Sequence, residues 1–151
     1  MASVLILGYG STLRGDDGLG PRAAKELRRS LGPPCFDVRV LHQLTPELAD
    51  DLAAVNAVLF IDASAEGTPG ELSVGRVQIP ADALVTHQMT PGALLALTES
   101  LGGSTPIGFA LSIAGGSFAL SEDLSPTVEA ALPALLEAAS GLAEALARLV
   151  R

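Results

Sequence analysis

Short apolar runs alternate with amphipathic stretches along most of the chain. Ser3–Leu7, apolar from Val4 onward, ends at Gly8 and suits a strand buried on both faces, as in parallel sheets. Leu19–Leu31 places Leu19, Ala23, Ala24, Leu27 and Leu31 at helical spacing, and Gly32-Pro33-Pro34 stops it. Asp37–Leu41 alternates around Val38 and Val40 and predicts a second strand. Pro46–Val55 predicts a short helix, with Thr45 as N-cap and Pro46 in first position. Ala57–Ile61 is a third strand ending at Asp62, and Leu72–Ile79 alternates as an edge strand before Pro80. Thr90–Leu101 reads as a helix capped by Thr90, and Ile107–Ala114 as the fifth strand. The last helix opens at Ser125-Pro126. Its residues Val128, Leu132, Leu135, Ala139, Leu142, Leu146 and Leu149 step by four and three, a stripe for packing on a sheet. Pro133 and Gly141 should bend or weaken it. Strands alternating with helices predict one three-layer α/β domain over residues 1–151.

Composition narrows the partners. Apolar residues make up 48% of the 151 positions and charged residues 17%, which excludes intrinsic disorder. The net charge of −8 opposes nucleic acid and anionic membrane surfaces, and with no Trp and one Tyr there is little to stack on bases. It also opposes self-association, so a monomer is expected. The uncharged stretch Ser100–Ser121 is long enough for a membrane span, but glycines, serines and Pro106 break it up. Met1-Ala2-Ser3 lacks the basic region of a signal peptide. A single cysteine, Cys35, permits neither an internal disulfide nor a cysteine-rich zinc site, so a cytoplasmic location and a buried structural thiol are expected.

The chemistry concentrates at strand ends. Between the first strand and first helix lies Gly8-Tyr9-Gly10-Ser11-Thr12-Leu13-Arg14-Gly15-Asp16-Asp17-Gly18-Leu19-Gly20. Leu13 occupies the third glycine position of a dinucleotide fingerprint, and Asp16-Asp17 replaces the Lys-Ser/Thr pair of a phosphate loop. Two carboxylates repel phosphate, so a cation site is the better reading. Capping is assigned to Asp16 and ligation to Asp17. Asp62 ends the third strand, and His87 precedes the Thr90 cap. Together, Asp17, Asp62 and His87 make an O,O,N donor set for a borderline divalent ion. The segments His42-Gln43-Leu44-Thr45-Pro46 and His87-Gln88-Met89-Thr90-Pro91 echo each other, and capping accounts for Thr-Pro but not His-Gln. His42 is a further candidate, as ligand, proton-transfer group or substrate contact. Gly115-Gly116 offers backbone donors to a substrate chain, with a turn as the default.

The loop Gly8–Gly20 resembles the signature of the [NiFe]-hydrogenase maturation proteases, approximately Gly-x-Gly-Asn-x-Leu-x-x-Asp-(Asp/Glu)-Gly-x-Gly. Asp62 in Phe60-Ile61-Asp62-Ala63, His87 in its His-Gln-Met-Thr-Pro segment, and Leu124–Pro133 resemble further family positions. The resemblance implies a twisted, mostly parallel five-stranded sheet. It also implies a cytoplasmic endopeptidase that removes a C-terminal extension from a hydrogenase large-subunit precursor after nickel loading. Its metal-contacting positions fall on Asp17, Asp62 and His87, which read nickel carried by the substrate, so the free enzyme needs no tightly bound metal. Gly8, Gly10, Asp16, Gly18 and Gly20 shape the loop. Two positions depart from the pattern: Ser11 stands where Asn is usual, and His42-Gln43-Leu44-Thr45 replaces Asp-Gly-Gly-Thr. A non-catalytic metal-binding or chaperone-like module docking on a hydrogenase subunit would use the same three contacts. It differs in leaving the precursor uncut.

Overall fold

A computed structural model describes residues 2–80 and 89–150. Five strands, β1 (Val4–Tyr9), β2 (Phe36–Leu41), β3 (Ala57–Ser64), β4 (Leu72–Arg76) and β5 (Ile107–Ala114), form one sheet in the order β2-β1-β3-β5-β4. All neighbours are parallel except β4, which pairs antiparallel with β5 at one edge. The helices are α1 (Leu19–Leu27), α2 (Leu48–Ala53), α3 (Pro91–Ser100) and α4 (Pro126–Leu149).

Period-two alternation in β1 and β3 sorts the core into two layers. Val4 and Ile6 with Ala57, Leu59 and Ile61 face Leu19, Ala23 and Leu27 of α1 and Val128, Leu132 and Leu135 of α4. Leu5 and Leu7 with Val58 and Phe60 face Leu48 and Leu52 of α2 and Leu94 and Leu95 of α3. The central strands are therefore apolar on both faces, which is why they read as continuous runs rather than alternations. This is the expected three-layer α/β architecture.

Several boundaries differ for identifiable reasons. β3 continues through Asp62 to Ser64 because β5 pairs with it as far as Ala114. Helix α2 starts at Leu48, not Pro46. Thr45 and Pro46 contribute backbone carbonyls to Leu48 and Ala49 in a preceding turn, and no side chain caps the helix. Thr90 does cap α3, its hydroxyl accepting from the Ala93 N–H at 3.1 Å. The two echoed segments thus begin their helices by different means. The stripe on α4 also drifts: Ala143 and Ala147 are buried, whereas Leu149 is 78% exposed. A four-three step averages 3.5 residues per turn, so a straight helix turns away from it by about 20° per heptad. Although α4 is long and apolar enough to cross a membrane, it spends Val128, Leu132, Leu135 and Ala139 on the sheet. Pro133 sits on its exposed side without ending it.

Strand order reverses direction between β1 and β3. The connection from β1 leads outward to β2, and the one from β3 leads to the other half of the sheet. The carboxyl ends at such a switch point leave a crevice where ligands bind in open α/β sheets.

Candidate functional site at the carboxyl ends of β1 and β3

The glycine loop leaves β1 and passes through a single 3-10 turn, Gly15–Gly18, into α1. A side chain at Gly20 would collide with backbone atoms of Tyr9 and Ile61, so glycine there lets α1 rest directly on the strand ends. Gly10 has φ +144°, and a Cβ there would meet the Asp17 carbonyl. Gly18, by contrast, has an ordinary φ, and the nearest atom to an added Cβ lies at 3.5 Å. The structure imposes no steric requirement for glycine at that position.

Asp16 does not cap α1, contrary to the sequence expectation. That helix opens at Gly18 without a side-chain cap. The Asp16 side chain turns inward instead and is fully buried, at 0% exposure. Its Oδ2 accepts from the Gly116 N–H at 2.8 Å, the Ser117 N–H at 2.9 Å and the Ser125 hydroxyl at 2.8 Å. Its Oδ1 accepts from the Ser125 N–H at 2.7 Å. Burial works against ionisation here, but these hydrogen bonds outweigh it and hold the carboxyl below the ordinary aspartate range. The same contacts correct the reading of Gly115 and Gly116 as substrate donors. Gly116 gives its N–H to Asp16 and Gly115 gives its own to the Ser64 carbonyl at 2.8 Å, so both are engaged within the protein.

The neighbouring Asp17 is left open. It is only partly buried, and Oδ2 accepts from the Ser11 N–H at 2.7 Å. The Ser11 hydroxyl accepts from the Leu13 N–H at 3.4 Å, which keeps a polar contact inside the loop. Asp62, near the end of β3, continues the row Val58-Phe60 on the face shared with Leu5 and Leu7. Burial pushes its carboxyl up to about 6. Hydrogen bonding from the Tyr9 hydroxyl pulls it down, and the Asp17 charge pushes it up further. Burial raises the Tyr9 phenol as well, followed by the charge of Asp62, its hydrogen bond to Asp62, and the charge of Asp17. Asp17, Asp62 and Tyr9 therefore form one electrostatic cluster, with two carboxylates near enough to feel each other.

His42 lies one residue past β2 and is exposed. Among the described residues no group of three or more His, Cys, Asp and Glu side chains is close enough to hold a metal ion, so His42 does not join the two carboxylates. His87 lies outside the described residues. Tyr9 is the member of the cluster that the sequence reading passed over. The available signal was its place at the end of β1, two residues on from Leu7 and hence on the same face. A groove of about 590 Å3 against Pro33, Pro34 and Phe36 lies at the opposite end of the sheet and shares no residue with this cluster.

No protein-family model matches the sequence, and no curated protein does either. Solved structures do. A hydrogenase 2 maturation peptidase from a Thaumarchaeota archaeon superposes with a TM-score of 0.69 at 29% identity, covering 90% of this chain and 94% of that one. The [NiFe] hydrogenase maturation protease HybD of Thermococcus kodakarensis gives 0.68 at 27% identity, with 95% and 99% covered. The hydrogenase maturating endopeptidase HybD of Escherichia coli gives 0.71 at 24% identity, with 96% and 94% covered. The fold is that of the hydrogenase maturation proteases. The likeness runs through the sheet and the flanking helices, not through the signature loop alone. Within this maturation-protease fold, Asp17 and Asp62 stand at the switch point of the sheet.

Proposed function

We propose that the chain is a processing endopeptidase that removes the C-terminal extension of a [NiFe]-hydrogenase large-subunit precursor, and that Asp17, Asp62 and His87 recognise the nickel the precursor carries. The observation that carries this reading is the convergence of two carboxylates at one crevice of a maturation-protease fold. Asp16, one position away, is wholly engaged in structure, whereas Asp17 spends a single hydrogen bond and keeps lone pairs for a cation. Two anionic oxygens held apart from water raise each other's proton affinity, and a divalent ion relieves that repulsion. Met89, two positions after His87 in the chain, packs against the face of the sheet that carries Tyr9 and Asp62, which favours His87 as the nitrogen donor of the set.

Nickel enters as part of the substrate, so the free enzyme needs no resident metal. Hydrolysis adds water across the peptide bond: the hydroxyl goes to the carbonyl carbon, the C–N bond breaks, and the leaving amine takes a proton. Nickel that polarises the carbonyl would assist the first event. A carboxyl poised near 6, as Asp62 is, suits a proton acceptor at neutral pH and would assist it without the metal. The enzyme works as a monomer in the cytoplasm, in keeping with its charge of −8 and single cysteine.

Incubation with nickel-loaded and nickel-free precursor, followed by mass spectrometry, tests the proposal. The expected products are a shortened large subunit and one released peptide, from the loaded precursor only. Asp17→Asn keeps the acceptor for the Ser11 N–H and should remain folded yet fail to cut. Binding without a change of mass would instead identify a non-catalytic docking module, and normal cutting by Asp17→Asn would remove that carboxylate from the site.

A further inference from the structure

Leu13 is 54% exposed and Leu120 is 88% exposed, and both sit at the rim of the carboxylate crevice. Leu13 is the only large apolar residue between Ser11 and Asp17, and Leu120 lies in the loop that follows β5. Their backbones are joined. The Ser121 N–H donates to the Leu13 carbonyl at 3.0 Å, the Gly15 N–H donates to the Ser121 carbonyl at 2.8 Å, and Arg14 and Ser121 form a parallel bridge. In a parallel pairing, the residues that precede the two partners also lie opposite each other and project to the same side. Leu13 and Leu120 therefore stand side by side, their backbones about 5 Å apart.

The pair is held on a fixed support. Asp16 ties the turn after Leu13 to Gly116 and Ser117 at the base of the second loop, and Asp17 ties back to the Ser11 N–H. Two leucines kept in water on ordered backbone gain nothing for the fold. They form a preorganised apolar contact, and ordering it in advance lowers what association must later supply. Other exposed leucines lack this setting: Leu149 ends α4, and Leu101 leads toward the start of β5 at the far end of the sheet.

From this we infer that Leu13 and Leu120 together seat an apolar side chain of the precursor, in the extended stretch next to the bond that is cut. The inference rests on the proposed endopeptidase reading. Because the pair belongs to the same hydrogen-bonded loop as Asp17, a segment anchored there lies beside the carboxylates. The contact is apolar, so it fixes position without adding charge near the cation.

The test measures binding and cutting of nickel-loaded precursor separately, with the full chain. Leu13→Ser and Leu120→Ser should each raise the dissociation constant about tenfold, since each removes a leucine-sized apolar contact. Leu120→Met, which keeps the apolar area, should restore binding, and the control Leu149→Ser should bind like the unmodified chain. Unchanged melting temperatures would confirm that the variants are folded. If the unmodified chain cuts and both serine variants bind normally, the docking pair is refuted while the endopeptidase reading stands. An equal loss for Leu149→Ser also refutes it. If the unmodified chain binds without cutting, the endopeptidase reading fails, and a selective loss of binding in the serine variants still supports the docking pair.

Discussion

Ser125 gives both its backbone N–H and its hydroxyl to the carboxylate of Asp16, across 109 residues of sequence. The same hydroxyl oxygen accepts from the Val128 N–H at 3.5 Å and so caps α4. One residue thus starts the last helix and closes the first loop.

Asp16→Asn should cost about 2–4 kcal/mol, because the amide presents a donor where several buried donors need acceptors. Urea unfolding would measure it. The pH dependence has a definite sign. A carboxyl held below its ordinary value contributes stability that is present above the unfolded-state pKa of about 3.9 and is lost as pH falls through the folded value. The unmodified chain should therefore lose more stability than Asp16→Asn on acidification below about pH 4.

Asp62 has the opposite sign. Its folded value, about 6, lies above the unfolded one, so its contribution is complete below about pH 4 and is lost as pH rises through 6. Asp62→Asn should be more stable than the unmodified chain at pH 7.5 by about 1–2 kcal/mol, and the gap should close near pH 4. Tyr9→Phe removes the hydrogen bond that lowers Asp62, so NMR titration should find the Asp62 midpoint moved to higher pH.

Gly10→Ala introduces a side chain at φ +144°, against the Asp17 carbonyl, and should lower stability by about 2–3 kcal/mol. Gly18→Ala meets no atom closer than 3.5 Å and should change it by less than about 1 kcal/mol. Thermal unfolding of the two variants side by side separates a steric requirement from a merely frequent glycine.

The sheet was readable because its central strands are buried on both faces and leave unbroken apolar runs, as in Val4–Leu7 and Ala57–Ile61. Helix starts were readable where a side chain caps them, at Thr90 and Ser125, and not at Leu48, where backbone carbonyls do the work. In the site, the glycine-rich acidic loop and the strand-end Asp62 stood out by residue type and position. The division of labour between Asp16 and Asp17 was assigned in outline but for the wrong reason, since the partners of Asp16 lie about a hundred positions away and no local pattern reveals them. Tyr9 was missed because its part depends on facing Asp62 across two parallel strands, a relation set by register. The donor role given to Gly115 and Gly116 failed for a similar reason: their N–H groups were already bound to Ser64 and Asp16.

The bond from Asp16 to Ser125 also orders events during synthesis. A ribosome that has released the first 120 residues has made Asp17, Asp62 and His87, together with all five strands, but not the serine that locks the loop beneath Asp17. The carboxylate pair acquires its fixed support only when the final helix begins to emerge. A nascent chain therefore exposes its acidic loop before it can hold it still, and the competent crevice is a property of the finished polypeptide.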